Sequence, residues 1–331
     1  MRDHRIDFIK GVLMWCVVYG HIINVLLGGI SHPPIWLHTF VRTFDMPFFM
    51  ILSGYFLKKS LGKRSGCGVL VDRVTMIFVP IVIWTLLLCR ISFSMYYFLW
   101  AVFVSSIVCI VGNKMSASLP GKMGRCLELL LYLAVVALLH IIRIPWNLFY
   151  LLPFFVFGYY MRDVQFELPK HVSVITIFLF VILLCFWEAS YTPWKTGALA
   201  WKGDSAAALI YVYRFTLGII GVYAIAKCLD MIRNLLGDNS FVVRNVIKWG
   251  RETLALYILQ SIAVERIAKI MLDAIYKHHP VVLSQHMVNL IGYVAVPILA
   301  FVAIVCLFFV VEKVKCNSLA KYVFGFKMRS N

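Results

Sequence analysis

The sequence predicts an all-α integral membrane protein with about ten transmembrane helices and both termini in the cytoplasm. The composition indicates the membrane class: 62% of the 331 residues are hydrophobic, 14% are charged and the mean hydropathy is +0.87, which is too apolar for a soluble domain. The cations indicate the orientation. If the apolar segments cross the membrane in turn, twenty-two of the 32 Lys and Arg residues lie on the side of both termini and five on the other. Cytoplasmic loops carry such an excess.

Ten apolar segments are long enough to cross a bilayer, which takes about 20 residues. They lie at 8–29, 38–57, 70–90, 94–112, 126–143, 145–161, 171–188, 208–229, 249–272 and 287–311. The loops with the most room are 58–69, 113–125 and 230–248 on the inside and 189–207 and 273–286 on the outside. We therefore expect one transmembrane domain over 1–331 and no appended soluble domain.

The charge and the cysteines argue against other classes. The formal charge of +17 could indicate nucleic-acid binding, but the topology accounts for it, and the basic side can also hold anionic membrane lipids. The nine cysteines are scattered without CxxC spacing, so they indicate neither disulfides nor a metal site. His278, His279 and His286 lie in or beside an outer loop without carboxylates or cysteines at ligand spacing. We expect no nucleic-acid partner and no metal.

Polar residues mark one side of the first apolar segment. Eleven residues separate Lys10 from His21, which at ~100° per residue returns to within roughly 20° of the same helix face, about 16 Å along the axis. Asp7 and Asn24 share this side. Ionisable groups in the membrane usually face protein or a water-filled cavity. His21 is thus either a structural histidine bonded to a neighbouring helix or a catalytic group.

The second segment carries a further charged pair. Arg42 and Asp45 are three residues apart and can pair on one helix, either as an ion pair that locks helices or as part of a substrate site. Pro47 weakens the helix immediately after Asp45. The small residues of Ser53-Gly54-Tyr55 allow another backbone to approach near the cytoplasmic end.

Three later positions have a structural and a functional interpretation. Arg73 stands at the predicted cytoplasmic surface, seven residues before Pro80, where it either binds a ligand or marks the membrane boundary. Arg214 lies inside a span, where a charge is costly, and it is a candidate to line a substrate pathway. Glu265 and Arg266 lie close to a membrane end, and snorkelling of their side chains explains them.

Several of these motifs resemble the membrane-bound acyltransferase family 3, whose members acylate sugars and other acceptors. The first helix matches the family pattern RxDxxKG followed by a histidine, and residues 44–55, FDMPFFMILSGY, resemble its second-helix motif. The family's third helix opens with basic residues and leads to a proline. The matching positions are Arg5, Asp7, Lys10, Gly11 and His21, then Asp72, Arg73 and Pro80, with weaker matches at 96–103, 151–162 and 249–264.

The resemblance implies acyl transfer to a hydroxyl, a reaction that needs a base or a nucleophile that carries the acyl group. An imidazole serves either role, so His21 is the catalytic candidate, with Asp7 and Lys10 at the mouth of its helix. Acetyl-CoA is the implied donor, and Arg5 and Arg73 are the expected contacts for its phosphates. Arg42, Asp45, Ser53, Tyr55 and Arg214 are candidates for substrate binding or for structure.

The expected acceptor is a cell-surface glycan or a lipid-linked sugar, such as an undecaprenyl-linked one, reached from the other side of the inner or plasma membrane. The sequence does not specify the oligomeric state. Two other functions remain open. A secondary transporter could also have ten spans and buried charges, although no inverted repeat is visible, and an export partner of a surface polysaccharide would need no chemistry.

Three positions depart from the family pattern. Asp45 stands where many relatives have histidine before MP, Met76 stands where a second arginine often follows the equivalent of Arg73, and Gln260 takes a place often held by histidine. The pattern that joins Lys10 and His21 is intact.

Overall fold

The computed structural model describes residues 3–27, 35–87, 96–119, 121–142, 146–162, 170–188, 191–278, 284–317 and 320–325, and these ranges contain helices and no strand. The all-α prediction is therefore confirmed. The helices within these ranges are α1 His4–Leu27, α2 Trp36–Leu61, α3 Gly66–Leu87, α4 Tyr97–Ala117, α5 Gly121–Ile141, α6 Trp146–Met161, α7 Lys170–Cys185, α8 Pro193–Trp201, α9 Ala206–Leu236, α10 Phe241–Arg251, α11 at 253–278, α12 Gln285–Val314 and α13 Ala320–Phe324.

Each of the ten predicted apolar segments overlaps a described helix, and the fifth and sixth are separate as α5 and α6. The ninth, 249–272, begins in the last residues of α10 and continues in α11. Within the described ranges, six helices are both long and apolar enough to cross a membrane, namely α1, α3, α4, α5, α9 and α12. The count of ten spans and the orientation of the termini stay predictions. Residues 88–90, 143–145 and 279–283, which belong to predicted spans and loops, lie outside the described residues.

The predicted inner loops 58–69, 113–125 and 230–248 are shorter than expected, because helices extend into each of them from both sides. Most of 230–248 is helical, as the end of α9 and the start of α10. Helix α10 buries Val243, Val246, Ile247 and Gly250, which recur at helical spacing along one face. It is an amphipathic helix, so its apolar face packs on protein although its composition is too polar for a span.

In the part of the chain that the structure describes, three helices contain a wider, π-helical stretch: Val74–Phe78 in α3, Ser261–Ala268 in α11 and Ile291–Ala295 in α12. Two of them precede a proline by a short distance, Pro80 and Pro297, whose ring clashes with the carbonyl four residues earlier and removes one hydrogen bond. Single π-turns are frequent at functional sites. The stretch in α11 contains Glu265.

The described chain forms two compact units, Met1–Asp45 with Val222–Asn331 and Met46–Gly221. In the first unit, α1 lies directly against α10. A Cβ added to Gly250 would lie 1.6 Å from the Asp7 carbonyl oxygen, and one added to Gly11 would lie 2.1 Å from the Val246 carbonyl oxygen. The two backbones therefore touch, and only glycine permits this at both positions.

Helix α12 holds the other side of α1. The Tyr19 hydroxyl donates to the Gly292 carbonyl at 3.1 Å, and the Trp15 indole donates to the Pro297 carbonyl at 3.3 Å. Both acceptors lie beside the π-helical stretch of α12 or within it. The position of α1 in this unit is thus set by α10 and α12 together.

The second unit contains a reciprocal glycine contact between α2 and α6. A Cβ on Gly54 would lie 2.0 Å from the Phe155 carbonyl oxygen, and one on Gly158 would lie 2.0 Å from the Ile51 carbonyl oxygen. This confirms the expectation that the Ser53-Gly54-Tyr55 segment admits another backbone.

We predict that Gly250→Ala lowers the unfolding temperature and the yield of the detergent-purified protein, because the added methyl group overlaps the Asp7 carbonyl and overpacking costs about 1–3 kcal/mol. Gly66→Ala is the matched control, since its Cβ would meet Ile110 Cγ2 at an ordinary 3.6 Å. Equal unfolding temperatures for Gly250→Ala and the wild type would contradict the α1–α10 contact.

Candidate active site

His21 lies on the protein-facing side of α1. The helix is continuous from His4 to Leu27, so Lys10 and His21 keep the predicted offset of about 16 Å along one helix. The His21 side chain is buried, as is Asp7, while Lys10 is half-buried. The first helix therefore carries its polar groups inside the unit.

The His21 imidazole is paired with a carboxylate from another helix. His21 Nδ1 contacts Glu265 Oε1 in the π-helical stretch of α11, and the Glu265 side chain is 23% exposed. The other ring nitrogen, Nε2, is buried and has no hydrogen-bond partner among the described residues. The interpretation of Glu265 as a snorkelling residue was wrong, because its carboxylate contacts a buried group of the first unit.

This arrangement prepares Nε2 for proton transfer or for nucleophilic attack. A carboxylate beside Nδ1 favours the tautomer with the proton on Nδ1 and leaves the lone pair on Nε2. The same carboxylate stabilises the imidazolium that forms when Nε2 takes a proton. A histidine with only a structural role would be expected to use both ring nitrogens when buried. The bare Nε2 favours the chemical interpretation of His21.

The charged pair Arg42–Asp45 of α2 lies against α1 at Gly20, one residue before His21. Arg42 Nη1 lies 3.9 Å from Asp45 Oδ2, as the spacing predicted, and Arg42 Nε donates to His38 Nε2 at 3.3 Å. Asp45 is completely buried. A Cβ on Gly20 would lie 3.4 Å from Arg42 Cζ, so the guanidinium lies against the α1 backbone. Arg42 thus brings a positive charge to the helical turn that carries His21.

Ion pairs connect the start of α1 to α9 and α10. Arg251 Nε lies 3.6 Å from Asp7 Oδ2, and the Arg5 guanidinium donates to both carboxylate oxygens of Asp230. Arg5 is thus engaged by a carboxylate in this structure. A phosphate of the expected donor would have to compete with Asp230 for it.

The remaining predicted residues belong to the second unit. Ser53 and Tyr55 lie in α2, and the Tyr55 ring faces Arg162 at 5.7 Å. Arg73 is half-buried at the point where α3 widens, next to an Arg64–Asp72 pair at 2.7 Å. Arg73 therefore lies beside an ion pair and directly before the π-helical stretch of α3.

Arg214 is buried among aromatic rings of the second unit. Its Nη1 donates to the Tyr191 carbonyl, and its Cζ lies 4.4 Å from the Tyr150 ring centroid and 5.1 Å from the Trp187 ring centroid. Cation–π contacts stabilise a desolvated guanidinium. These partners stabilise the buried charge, while Arg214 Nε is buried without a hydrogen-bond partner among the described residues; the place of Arg214 on a substrate pathway stays a prediction.

No cluster of three His, Cys, Asp or Glu side chains that could hold a metal occurs in the described part of the chain. His279 lies outside the described residues, and of His278 only the backbone is described. The cysteines that the structure describes are free thiols.

Comparisons with known proteins support the resemblance to an acyltransferase that the sequence motifs indicated. Nodulation protein NolL of Sinorhizobium fredii (strain NBRC 101917 / NGR234) is 24% identical over 291 residues, which cover 78% of this chain and 77% of that protein. Nodulation protein NolL of Mesorhizobium japonicum (strain LMG 29417 / CECT 9101 / MAFF 303099) is 25% identical over 131 residues, 32% of this chain and 35% of that protein. No solved structure matches.

A protein-family model matches the region that includes the polar face of α1 and the charged pair of α2. This family model, described as an acyltransferase domain, matches residues 3–105, the range that contains Arg5, Asp7, Lys10, His21, Arg42, Asp45 and Arg73. Residues 3–105 are thus similar to an acyltransferase domain, and the chain is similar to NolL over most of its length.

Proposed function

We propose that this protein is a membrane-embedded O-acyltransferase. It moves an acetyl or other short acyl group from cytosolic acyl-CoA to a hydroxyl of a cell-surface or lipid-linked glycan. The observation that carries the proposal is the buried pair of His21 and Glu265, in which Nδ1 meets the carboxylate and Nε2 has no partner among the described residues. A base held in this way suits attack by a hydroxyl, which is too weak a nucleophile without one.

His21 acts in one of two ways. As a base, Nε2 takes the hydroxyl proton while the acceptor oxygen attacks the thioester carbonyl; the C–S bond breaks, and the CoA thiolate takes the proton back from the imidazolium. As an acyl carrier, Nε2 attacks the thioester first, the C–S bond breaks and the CoA thiolate leaves; the acyl-imidazolium then passes its acyl group to the acceptor hydroxyl, whose proton goes to the thiolate. In both cases Glu265 holds the ring and stabilises its positive form. Glu265 is a positioning residue in this scheme.

The donor reaches the protein from the cytoplasm. The excess of Lys and Arg supports an orientation with both termini cytoplasmic in the inner or plasma membrane, so the start of α1 and Arg73 face the cytosolic donor. Arg5, Lys10 and Arg73 are the proposed contacts for its phosphates. The thioester lies at the end of a long arm, which can extend about 16 Å along α1 toward His21. The glycan acceptor arrives from the opposite side.

Radiolabelled acetyl-CoA tests this function. Purified protein in proteoliposomes is incubated with the labelled donor and with glycolipid extracted from the source membranes. We expect label in the glycolipid or release of labelled acetate. Accumulation of intact acetyl-CoA inside the vesicles without either product would instead support the transporter, and no reaction and no uptake would support an export partner.

We predict that Glu265→Gln lowers kcat for acyl transfer by about tenfold or more and leaves KM for acetyl-CoA unchanged. The amide still accepts a hydrogen bond from Nδ1 but no longer neutralises the imidazolium. Glu312→Gln is the matched control because Glu312 is half-exposed and pairs with Lys315. If Glu265→Gln lowers the unfolding temperature but leaves kcat at the wild-type value, Glu265 has only a structural role.

Arg73→Ala should raise KM for acetyl-CoA and leave kcat nearly unchanged. A contact with phosphate stabilises the ground state and the transition state by the same amount, so its loss weakens binding without slowing the chemical step. If Arg73 meets the 3′-phosphate, the variant's defect should be smaller with acetyl-dephospho-CoA. Arg125→Ala, an exposed cation on the same predicted side, controls for the general removal of a positive charge. An unchanged KM would return Arg73 to the role of a boundary residue.

A further inference from the structure

A cationic pocket lies in the second unit near the ends of three helices. It encloses about 310 Å³, and its described lining comes from the end of α2 with the turn that follows, from α4 and from the last turn of α6. This volume is within the ~300–1,000 Å³ of small-molecule sites. The described lining residues are Lys58, Lys59, Leu61, Gly62, Lys63, Asn113 and Arg162.

Four of these seven residues carry a positive charge, and none of the seven is a carboxylate. Like charges gathered around one concavity repel each other, and the concave shape concentrates their field on whatever occupies it. Such a cluster is unfavourable without a counter-charge. The pocket therefore has the electrostatics of an anion site.

Aromatic side chains support two of the four cations. Lys58 Nζ lies 4.5 Å from the centre of the Tyr159 ring and donates to its hydroxyl at 3.3 Å, and that hydroxyl donates to Asn113 Oδ1 at 2.9 Å. Arg162 Cζ lies 5.7 Å from the Tyr55 ring. Cation–π contacts hold these groups in place without cancelling their charge. The lining is thus ordered, while its positive potential is retained.

We propose that this pocket binds a phosphate ester on the cytoplasmic side of the membrane. Lysine and arginine together are the usual partners of phosphate oxygens, and the guanidinium fork adds a two-point contact. Two sources share this chemistry: the adenosine phosphates of coenzyme A and the phosphodiester headgroup of an anionic lipid. If the ligand is coenzyme A, the proposal rests on the acyl-CoA donor proposed above. Binding of a phosphate ester as such does not depend on that donor.

Equilibrium binding tests the site without turnover. Full-length protein in detergent is titrated with coenzyme A and with adenosine 3′,5′-bisphosphate at low ionic strength, and native mass spectrometry counts the phosphatidylglycerol that it retains. The test variants are Lys59→Gln with Lys63→Gln, and separately Arg162→Gln. Lys114→Gln is the matched control, because Lys114 is exposed next to Asn113 and is not among the residues that line the pocket.

We expect the test variants, and not the control, to weaken binding of one phosphate source by about tenfold or more, as the removal of a charge-assisted hydrogen bond predicts. Loss of nucleotide binding alone identifies the donor site, and loss of retained phosphatidylglycerol alone identifies a lipid site. If the test variants bind both sources as the wild type does, or if the wild type binds neither, the proposal is wrong.

Turnover of labelled acetyl-CoA by the wild-type protein, measured beside these binding assays, separates this proposal from the proposed function. If the acyl-transfer reaction is absent while the pocket still binds a phosphate ester, the function fails and the site stands. The opposite outcome has the wild type transferring the acyl group while the pocket variants bind acetyl-CoA, turn it over and retain lipid as the wild type does. In that case the site fails and the function stands.

Discussion

The contact between the His21 imidazole and the Glu265 carboxylate is the interaction on which the candidate site depends. An ionisable group in a membrane-spanning helix is costly unless a partner compensates it, and here the two groups compensate each other from different helices. This requires that α1 be held in a fixed position relative to α11. The glycine contacts with α10 and the hydrogen bonds from Tyr19 and Trp15 to α12 provide that constraint. The packing of α1 is thus directly linked to the tautomer and orientation of its histidine.

Several charged side chains of the first unit and of the second unit are stabilised by different means. In the first, cations and the histidine meet carboxylates, as in the Asp7–Arg251 and Arg42–Asp45 pairs. In the second, Arg214 and Lys58 are placed against aromatic rings, with backbone carbonyl or hydroxyl contacts. Pairing with a carboxylate neutralises a charge, whereas an aromatic ring stabilises it and leaves it positive. This difference is consistent with proton transfer at the first site and anion binding at the pocket of the second unit.

The sequence predicted the helical class, the position of each apolar segment, the Arg42–Asp45 pair and the close approach at Gly54, because each depends on local composition or on spacing within one helix. It did not predict α10, since hydropathy detects spans and treats an amphipathic helix of mixed composition as a loop. It also misjudged Glu265. Glu265 was interpreted from its place near a membrane end alone, whereas the stretch Ser261–Ala268 that contains it is π-helical and brings its carboxylate to His21. Pairing between α1 and α11 is a long-range contact, and no local pattern in one sequence specifies it.

The measurement that tests the central claim most directly is turnover by His21→Gln, determined together with its unfolding temperature. The glutamine amide can hydrogen-bond to Glu265, but it can neither take a proton usefully nor carry an acyl group. If His21 performs the chemistry, transfer from labelled acetyl-CoA falls by about 10²–10⁴-fold while the unfolding temperature stays near that of the wild type. Substantial transfer by this variant would contradict the account, and the polar face of α1 would then have only a structural role.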